Sequence, residues 1–249
     1  MRCRVVLPCE TQARGHSLRI VKTRLLIFLI AATTCLAQQD APDLASLEKK
    51  ASAGDAEAQI ALGLAYDQGR GIAQDRRTAA EWFAKAAAQG VAEAQFNLGT
   101  MYSSGVGVRK DEAKAVEWFE KAATQGFADA QFNLANMYAT GRGTEKSVVK
   151  AIGWYDKAGV QGMTRAQYNL GLLYAEGAKD EGVPPNSVKA YAWLSLAADD
   201  GDPAAKKMRD FIESKSNTKQ KAVLKKFAAE LSEKIKSTRG QRPYPAPSR

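Results

Sequence analysis

A repeat of 36 residues is the feature of this sequence that most restricts its fold. Tyrosines recur at this spacing, at Tyr66, Tyr102, Tyr138 and Tyr174. Tryptophans do the same up to Trp154, and Trp193 then follows after 39 residues. A fixed period of about 20 to 50 residues indicates stacked units, each of which buries its apolar face only against a neighbour. The sequence therefore predicts four stacked units, with three residues inserted late in the fourth, instead of one central core.

Each unit is predicted to be a pair of helices. In the first unit, one helix runs from Ala56 to Tyr66 after Asp55, and a second follows Asp75. An aspartate in this position accepts hydrogen bonds from the free N–H groups of the first turn. Glycines such as Gly69 stop the first helix, because glycine adopts left-handed torsions at low cost. Ala, Leu, Glu, Lys and Gln dominate the repeats, and this composition predicts an all-α fold.

Small residues recur at one position of the first helix and predict close packing there. These residues are Gly63, Gly99, Ala135 and Gly171. We expect the bulk facing them to come from the tryptophan of the second helix and the Phe, Tyr or Leu that follows it. A leucine at Gly99 is predicted to overpack this crossing.

The second unit carries the motif A-x-A-Q-x-N-L-G-x-M-Y-x-x-G-x-G-V and then D-x-x-x-A-x-x-W-F-x-K-A-A-x-Q-G. This pattern resembles the Sel-1-like repeat, a relative of the tetratricopeptide repeat with a longer period, over about residues 54–202. The resemblance implies a right-handed α-solenoid of helical hairpins. The fourth unit departs from the pattern, since residues 175–187 lengthen the loop between its helices. This loop is either a site of special contact or a tolerated surface insertion.

The pattern predicts the following division of the chain: a signal peptide (1–37), an N-terminal cap helix (38–53), repeats 1 to 4 (54–89, 90–125, 126–161 and 162–200), C-terminal capping helices (201–237) and a disordered tail (238–249). Basic residues precede an apolar run from Leu25 to Ala37, as in a cleavable secretory signal. Cleavage after Ala37 is expected, and an uncleaved N-terminal anchor is the alternative. The sequence thus predicts export to the periplasm or secretion.

Short helices are predicted to cap both ends of the stack. Asp43 is expected to cap the N-terminal helix, which would bury Leu44, Leu47 and Ala51. In a degenerate fifth unit, the residues expected to face inward are Ala205, Met208, Phe211 and Ile212. Thr218 is expected to cap a last helix, whose apolar stripe would be Val223, Leu224, Phe227, Leu231 and Ile235.

Charge is distributed unevenly along the chain. The net charge of +9 divides into +5 for residues 1–37, −5 for residues 38–205 and +9 for residues 206–249. Within the basic C-terminal segment we single out Lys219, Lys221, Lys225 and Lys226. They either solvate the cap or bind an anionic surface of the cell envelope. Nucleic acid is disfavoured as a partner, because export argues against it and aromatic residues are not interleaved with the basic ones.

Neither a catalytic residue nor a metal ligand nor a cofactor is predicted. Cys3, Cys9, Cys35 and His16 all lie in the leader, so a processed chain would lack thiol and imidazole groups. The G-x-G turns follow helices, whereas dinucleotide fingerprints follow strands. The family resemblance raises one enzymatic alternative, because a cysteine-rich branch of the family is linked to penicillin binding and β-lactamase activity. That branch has a cysteine pair in each repeat, and this chain has none there.

The predicted binding site is the concave face of the solenoid, on the side of the first helices opposite their core face. Ile60 and Leu64 are expected to face the groove in the first unit. The candidate binding residues in the next three units are Phe96, Asn97, Thr100, Phe132, Asn133, Asn136, Tyr168, Asn169 and Leu172. Amides beside aromatic rings can bind the backbone and side chains of an extended peptide. The alternative is that these residues only pack consecutive repeats together. We therefore predict an exported, non-enzymatic scaffold that binds a protein or peptide.

Overall fold

The computed structural model describes residues 44–239 and contains eleven α-helices in that range. The helices, numbered here in chain order, are α1 (Leu44–Ser52), α2 (Ala56–Gln68), α3 (Arg76–Ala88), α4 (Ala92–Ser104), α5 (Glu112–Thr124), α6 (Ala128–Thr140), α7 (Val148–Val160), α8 (Thr164–Glu176), α9 (Ser187–Asp199), α10 (Pro203–Ser214) and α11 (Thr218–Arg239). The predicted leader, Asp43 and most of the predicted tail lie outside the described residues. Export therefore stays a prediction.

Helices α2 to α9 form four antiparallel hairpins that stack into an α-solenoid, as predicted. Each first helix packs on the second helix of its own hairpin, and each second helix packs on the first helix of the next one. Every repeat thus buries its apolar residues against two neighbours. Residues 44–239 contain no β-strand, and two residues of the fourth loop, Ala178 and Val183, form an isolated bridge.

The predicted capping residues are confirmed, although the first helix of the first unit ends at Gln68, two residues beyond the predicted end at Tyr66. The Asp55 carboxylate accepts a hydrogen bond of 2.9 Å from the N–H of Ala58. Asp75 and Asp111 cap the second helices of the first two units in the same way. Gly69 ends α2 with φ of 69°, in the left-handed region. These boundaries follow from sequence because each cap involves residues at most four positions apart.

The small residues of the first helices do allow close packing, but the tryptophans are not their partners. A methyl group added at Gly99 would lie 2.9 Å from the ring of Phe119, the residue after Trp118. Trp118 instead is half-buried against the apolar cluster of the first unit, and the Lys121 ammonium lies 3.9 Å from its ring centroid. Trp82 and Trp154 make the same contact with Lys85 and Lys157. The adjoining Phe therefore provides the bulk, and the tryptophan part of the prediction is wrong.

Helices α1, α10 and α11 close the two ends of the stack. As predicted, α1 packs Leu44, Leu47 and Ala51 against the first repeat. Asn217, and not Thr218, caps α11, because the Asn217 side chain accepts a hydrogen bond from the N–H of Gln220. The α11 helix ends at Arg239, two residues beyond the predicted end of the capping helices.

The inward face of the C-terminal helices is partly as predicted. Ala205, Leu224 and Ile235 are buried, whereas Phe211 is 56% exposed and Val223 is 52% exposed. The prediction for these last two residues is wrong, because within the described range 44–239 no helix covers them. Trp193 on α9, in contrast, is buried in the same apolar cluster as Ile235, since α11 packs against α9.

Candidate functional site: the first-helix surface

The candidate binding residues lie on three consecutive first helices, α4, α6 and α8. We call the side of these helices that carries them the first-helix surface. Thr100 is exposed, and the other eight residues predicted to bind are half-buried. In the first unit, Ile60 is only 7% exposed and belongs to the core. The prediction that Ile60 faces the groove was therefore wrong.

The aromatic residues of this surface pack between consecutive units. The Phe96 ring lies 5.2 Å from the Phe127 ring and 5.9 Å from the Phe119 ring, measured between centroids. Phe132 lies 5.8 Å from Tyr155, and the Arg165 guanidinium lies 4.9 Å from the Phe132 ring centroid. Each ring thus stabilises a repeat junction and still exposes part of its area. Packing and binding are compatible roles for these residues.

Two of the asparagines are held by one tyrosine. The Tyr155 hydroxyl donates a hydrogen bond to Oδ1 of Asn136. The same hydroxyl oxygen accepts a hydrogen bond of 3.2 Å from Nδ2 of Asn169. Burial raises the pKa of the Tyr155 hydroxyl above its ordinary value of 10, so this group keeps its proton at neutral pH. These contacts join α6 and α7 of the third unit to α8 of the fourth.

The side chain of Asn97, in the second unit, has no hydroxyl partner of this kind. Its Nδ2 is buried and has no hydrogen-bond partner within residues 44–239. The residue 14 positions before Asn97 is Phe83, whereas the residue 14 positions before Asn169 is Tyr155. The Phe83 side chain has no hydroxyl oxygen to accept a hydrogen bond, so Nδ2 of Asn97 has no partner there. Asn97 and Asn169, which look equivalent in the sequence, therefore have different environments.

The charge of this side of the solenoid changes sign along the stack. Glu57, Glu93 and Asp129 occupy equivalent positions in the first turns of α2, α4 and α6, and Arg165 takes that position in α8. Glu57, Glu93 and Arg165 are exposed, and Asp129 is half-buried. The surface is thus acidic along the first three units and basic at the fourth.

An apolar cavity of about 370 Å³ lies where α8 meets α10. Tyr168 borders it from α8, and the residues from α10 are Ala204, Lys207, Met208 and Phe211. Met208 and Phe211 are the fifth-unit counterparts of Asn169 and Leu172, given the 39-residue offset at this point. The row of asparagines therefore ends in apolar side chains. Sequence analysis missed this cavity because it assigned Phe211 to the core.

Sequence analysis also missed a row of buried glutamines that joins the repeats along the turns between hairpins. Gln95 is 5% exposed, and its Nε2 donates to the carbonyl of Ala87. Its Oε1 accepts a hydrogen bond of 2.8 Å from Gln125, and Gln125 also donates to the carbonyl of Gly90. Gln89 with Gln59 and Gln161 with Gln131 repeat this arrangement. The repeated A-x-A-Q and Q-G motifs were the signal in the sequence, and they are structural.

The inserted loop of the fourth unit makes a special contact. Its 3₁₀ helix (Lys179–Glu181) positions the Glu181 carboxylate at the start of α7 in the third unit. There it accepts hydrogen bonds from the N–H of Val148 at 2.7 Å and of Val149 at 3.2 Å, and from the Ser147 hydroxyl. These bonds hold the pKa of Glu181 below its ordinary value, the Val148 bond contributing most. The loop stabilises a repeat junction in this way.

The basic residues of α11 are partly paired. Lys225 lies 2.8 Å from the carboxylate of Glu213, and this bond raises the pKa of Lys225 and lowers that of Glu213. Lys226 lies 4.0 Å from Glu230. Lys219 is exposed and Lys221 is half-buried. Lys225 and Lys226 are therefore less available to an anionic partner than the sequence alone suggests.

Nowhere in residues 44–239 do three or more His, Cys, Asp or Glu side chains group in a way that could hold a metal ion. Within the same range, no helix has the length and apolar character needed to cross a membrane.

Comparisons with known proteins agree with the repeat architecture. A family model described as the Sel1 repeat matches residues 56–91, 92–127, 128–162 and 164–202, more than half of the chain. A solved Sel1 repeat protein from Oxalobacter formigenes is 29% identical, with a TM-score of 0.66 over 81% of this chain and 84% of that one. The protein c5321, a protective antigen of uropathogenic Escherichia coli strains with an SLR fold, is 32% identical with a TM-score of 0.67. That match covers 92% of this chain and only 50% of the antigen. No curated protein matches the chain.

Proposed function

This chain belongs to the Sel1 repeat family, and we propose that it is a non-catalytic scaffold that binds an extended segment of a partner protein on its first-helix surface. Sel1 repeat proteins generally bind other proteins, and the family is typically non-catalytic. In a stack of repeats, the extended surface that consecutive units create is the usual place for binding.

The main support is the row of aromatic and amide side chains on α4, α6 and α8. Aromatic rings such as Phe132 offer apolar area for a partner's side chains, and partly exposed amides such as Asn136 offer hydrogen bonds for its backbone. These groups recur in consecutive units at the same helical position. A partner that runs along the solenoid could therefore make the same kind of contact in each unit.

The charged residues of the first-helix surface indicate which charges a partner segment would carry beside each unit. Glu57 and Glu93 favour basic residues beside the first two units, and Arg165 favours an acidic or neutral segment beside the fourth. The apolar cavity at Phe211 would accept one apolar side chain at that end. We therefore propose a partner segment that is basic at one end and apolar at the other.

Export belongs to the same proposal. The basic residues before Leu25 and the apolar run to Ala37 support a secretory signal, and the scaffold would then act in the periplasm or outside the cell. In that setting Lys219 and Lys221 could bind an anionic envelope surface. Expression of the full chain in fractionated cells, with the N-terminus of the product sequenced, tests export and cleavage after Ala37.

Affinity purification with matched variants tests the binding proposal. Thr100→Arg places a bulky charge on the exposed part of the first-helix surface, and Glu117→Arg makes a similar change on the exposed side of α5. We expect quantitative mass spectrometry to find a partner that Thr100→Arg loses and Glu117→Arg retains. A partner that persists in Thr100→Arg would contradict binding on this surface.

A further inference from the structure

The contact between Tyr155 and the two asparagines occurs at one place in the solenoid. The residues equivalent to Tyr155 in the other three hairpins are Phe83, Phe119 and Leu194, none of which has a hydroxyl group. The residues equivalent to Asn136 are Leu64, Thr100 and Leu172. The third unit alone, among the four hairpins, combines the hydroxyl with an asparagine. The arrangement is therefore not a general requirement of the repeat.

The hydroxyl group fixes which way each amide faces. A tyrosine hydroxyl has one proton, which it donates to Asn136, and its oxygen accepts from Asn169. Asn136 is left with its Nδ2 as a free donor, and Asn169 is left with its Oδ1 as a free acceptor. Within the described part of the chain, the side chains of Asn136 and Asn169 hydrogen-bond to Tyr155 only, and both residues are partly exposed. The two amides, joined through one hydroxyl, thus leave one donor and one acceptor for a ligand.

One donor and one acceptor are also what the backbone of an extended chain needs from a binding surface. In a β-strand, the N–H and C=O groups of one residue point to the same side, and antiparallel neighbours exchange both bonds at such a residue. Building on the proposed function, we propose that Tyr155 is a positioning residue that orients Asn136 and Asn169 to bind the C=O and N–H of a single residue of an extended peptide. Asn136 donates to the C=O, and Asn169 accepts from the N–H.

The apolar cavity bordered by Tyr168 indicates which type of side chain the peptide carries close to the residue that the asparagines bind. Tyr168 precedes Asn169 in α8 and borders the apolar cavity of about 370 Å³ with Met208 and Phe211. Phe211 is 56% exposed, so this apolar wall is accessible to a ligand. The ligand is therefore an extended peptide with an aliphatic or aromatic side chain close to the residue that the asparagines bind.

The test uses peptides selected against the full chain from a displayed library of random sequences about 12 residues long, which extend to about 40 Å. Isothermal titration calorimetry then compares the wild type with Tyr155→Phe and with Tyr138→Phe. The matched control Tyr138 is also a largely buried tyrosine, 7% exposed, but it lies outside the Tyr155 contact. We expect Tyr155→Phe to weaken binding about tenfold, as expected for the loss of an oriented hydrogen-bonding pair, and Tyr138→Phe to leave it unchanged.

A scan of N-methylated peptides provides the specific readout. Methylation of the one backbone N–H that Asn169 binds is expected to weaken binding to the wild type about tenfold, and to cause no further loss in Tyr155→Phe. If Tyr155→Phe binds as the wild type does while Phe132→Ala loses affinity, the role of Tyr155 is refuted and the first-helix surface stands. If the selected peptides bind Thr100→Arg and Phe132→Ala as well as the wild type, the proposed function fails together with this inference.

Discussion

The carboxylate of Glu181 accepts a hydrogen bond of 2.7 Å from the backbone N–H of Val148, 33 residues earlier in the chain. Val148 is the first residue of α7, where the N–H groups of the first turn have no partners within the helix. Ser147 caps this helix less tightly than aspartate caps the earlier ones, its hydroxyl lying 3.3 Å from the N–H of Lys150. The inserted loop of the fourth unit therefore completes the cap of the third.

This contact predicts an acid-sensitive contribution to stability. Because the pKa of Glu181 is lowered in the folded state from the ordinary value of 4.5, its contribution is present above that value and is lost as the pH falls through the lower folded pKa. We expect Glu181→Gln to lower the melting temperature at pH 7 relative to the wild type, with the difference disappearing in strong acid. Differential scanning fluorimetry across this pH range measures it. A difference that persists unchanged in strong acid would mean that the carboxylate charge has no role.

At the fourth unit, the row of glutamines leaves one buried acceptor atom without a donor, and a substitution should supply that donor. Gln167 is 1% exposed, and its Oε1 has no hydrogen-bond donor within residues 44–239. Asp200 takes the position from which Gln89, Gln125 and Gln161 donate in the other units. We expect Asp200→Gln to raise the free energy of unfolding by about 1 kcal/mol, by pairing this oxygen. The reverse change, Gln125→Asp, should lower it by about 1 to 3 kcal/mol. Equal urea midpoints for the wild type and both variants would contradict the role of the row.

The close packing at Gly99 predicts a loss of stability on enlargement. A Cβ there would lie 2.9 Å from the ring of Phe119, which is 2% exposed. We expect Gly99→Leu to cost about 1 to 3 kcal/mol or more, because the ring has little room to move. Gly153 is the control, since no atom lies within 4 Å of an added Cβ there, and Gly153→Ala should stabilise α7 by up to about 1 kcal/mol. Chemical unfolding of the two variants measures whether the free energy of unfolding falls in Gly99→Leu and rises in Gly153→Ala.

The cap helix α11 is predicted to be part of the core and not a detachable tail. Ile235 and Trp193 are each 3% exposed and belong to one apolar cluster. We expect Ile235→Ala to cost about 2 to 5 kcal/mol, and Val223→Ala, at a residue 52% exposed, to change stability by less than about 0.5 kcal/mol. Thermal unfolding followed by tryptophan fluorescence measures both. A mild effect of Ile235→Ala would show that α11 is only loosely attached. The role of the basic charges is therefore tested by replacing Lys219 and Lys221 with glutamine, which leaves Ile235 and the packing of α11 in place.

The features that could be predicted from the sequence are the periodic and local ones. Asp55 and Gly69 mark the ends of α2 through contacts within a few residues, and the 36-residue spacing of the tyrosines gives the stacking of hairpins. The Glu181 contact could not be predicted, because it joins two units through a loop that has no counterpart in the other repeats. The exposure of Phe211 was missed for a related reason: its helical spacing is that of a core residue, but within residues 44–239 no helix covers it, and it is 56% exposed.

The candidate site was predictable in its position and not in its chemistry. The repeat pattern places Asn97 and Asn169 at equivalent positions, yet only Asn169 has a hydroxyl partner. The difference depends on whether the preceding hairpin has Phe83 or Tyr155 at the contact. Phenylalanine and tyrosine are interchangeable in the repeat pattern, but only tyrosine has the hydroxyl group that bonds the asparagine amide.

Site-specific photo-crosslinking in the native host tests the central claim most directly. A photoreactive amino acid is introduced at Thr100 on the first-helix surface or at Glu117 on the exposed side of α5, and cross-linked proteins are identified by mass spectrometry. The account predicts that a partner protein is cross-linked at position 100 and not at position 117. A partner that cross-links at position 117 alone, or equally at both positions, would contradict it.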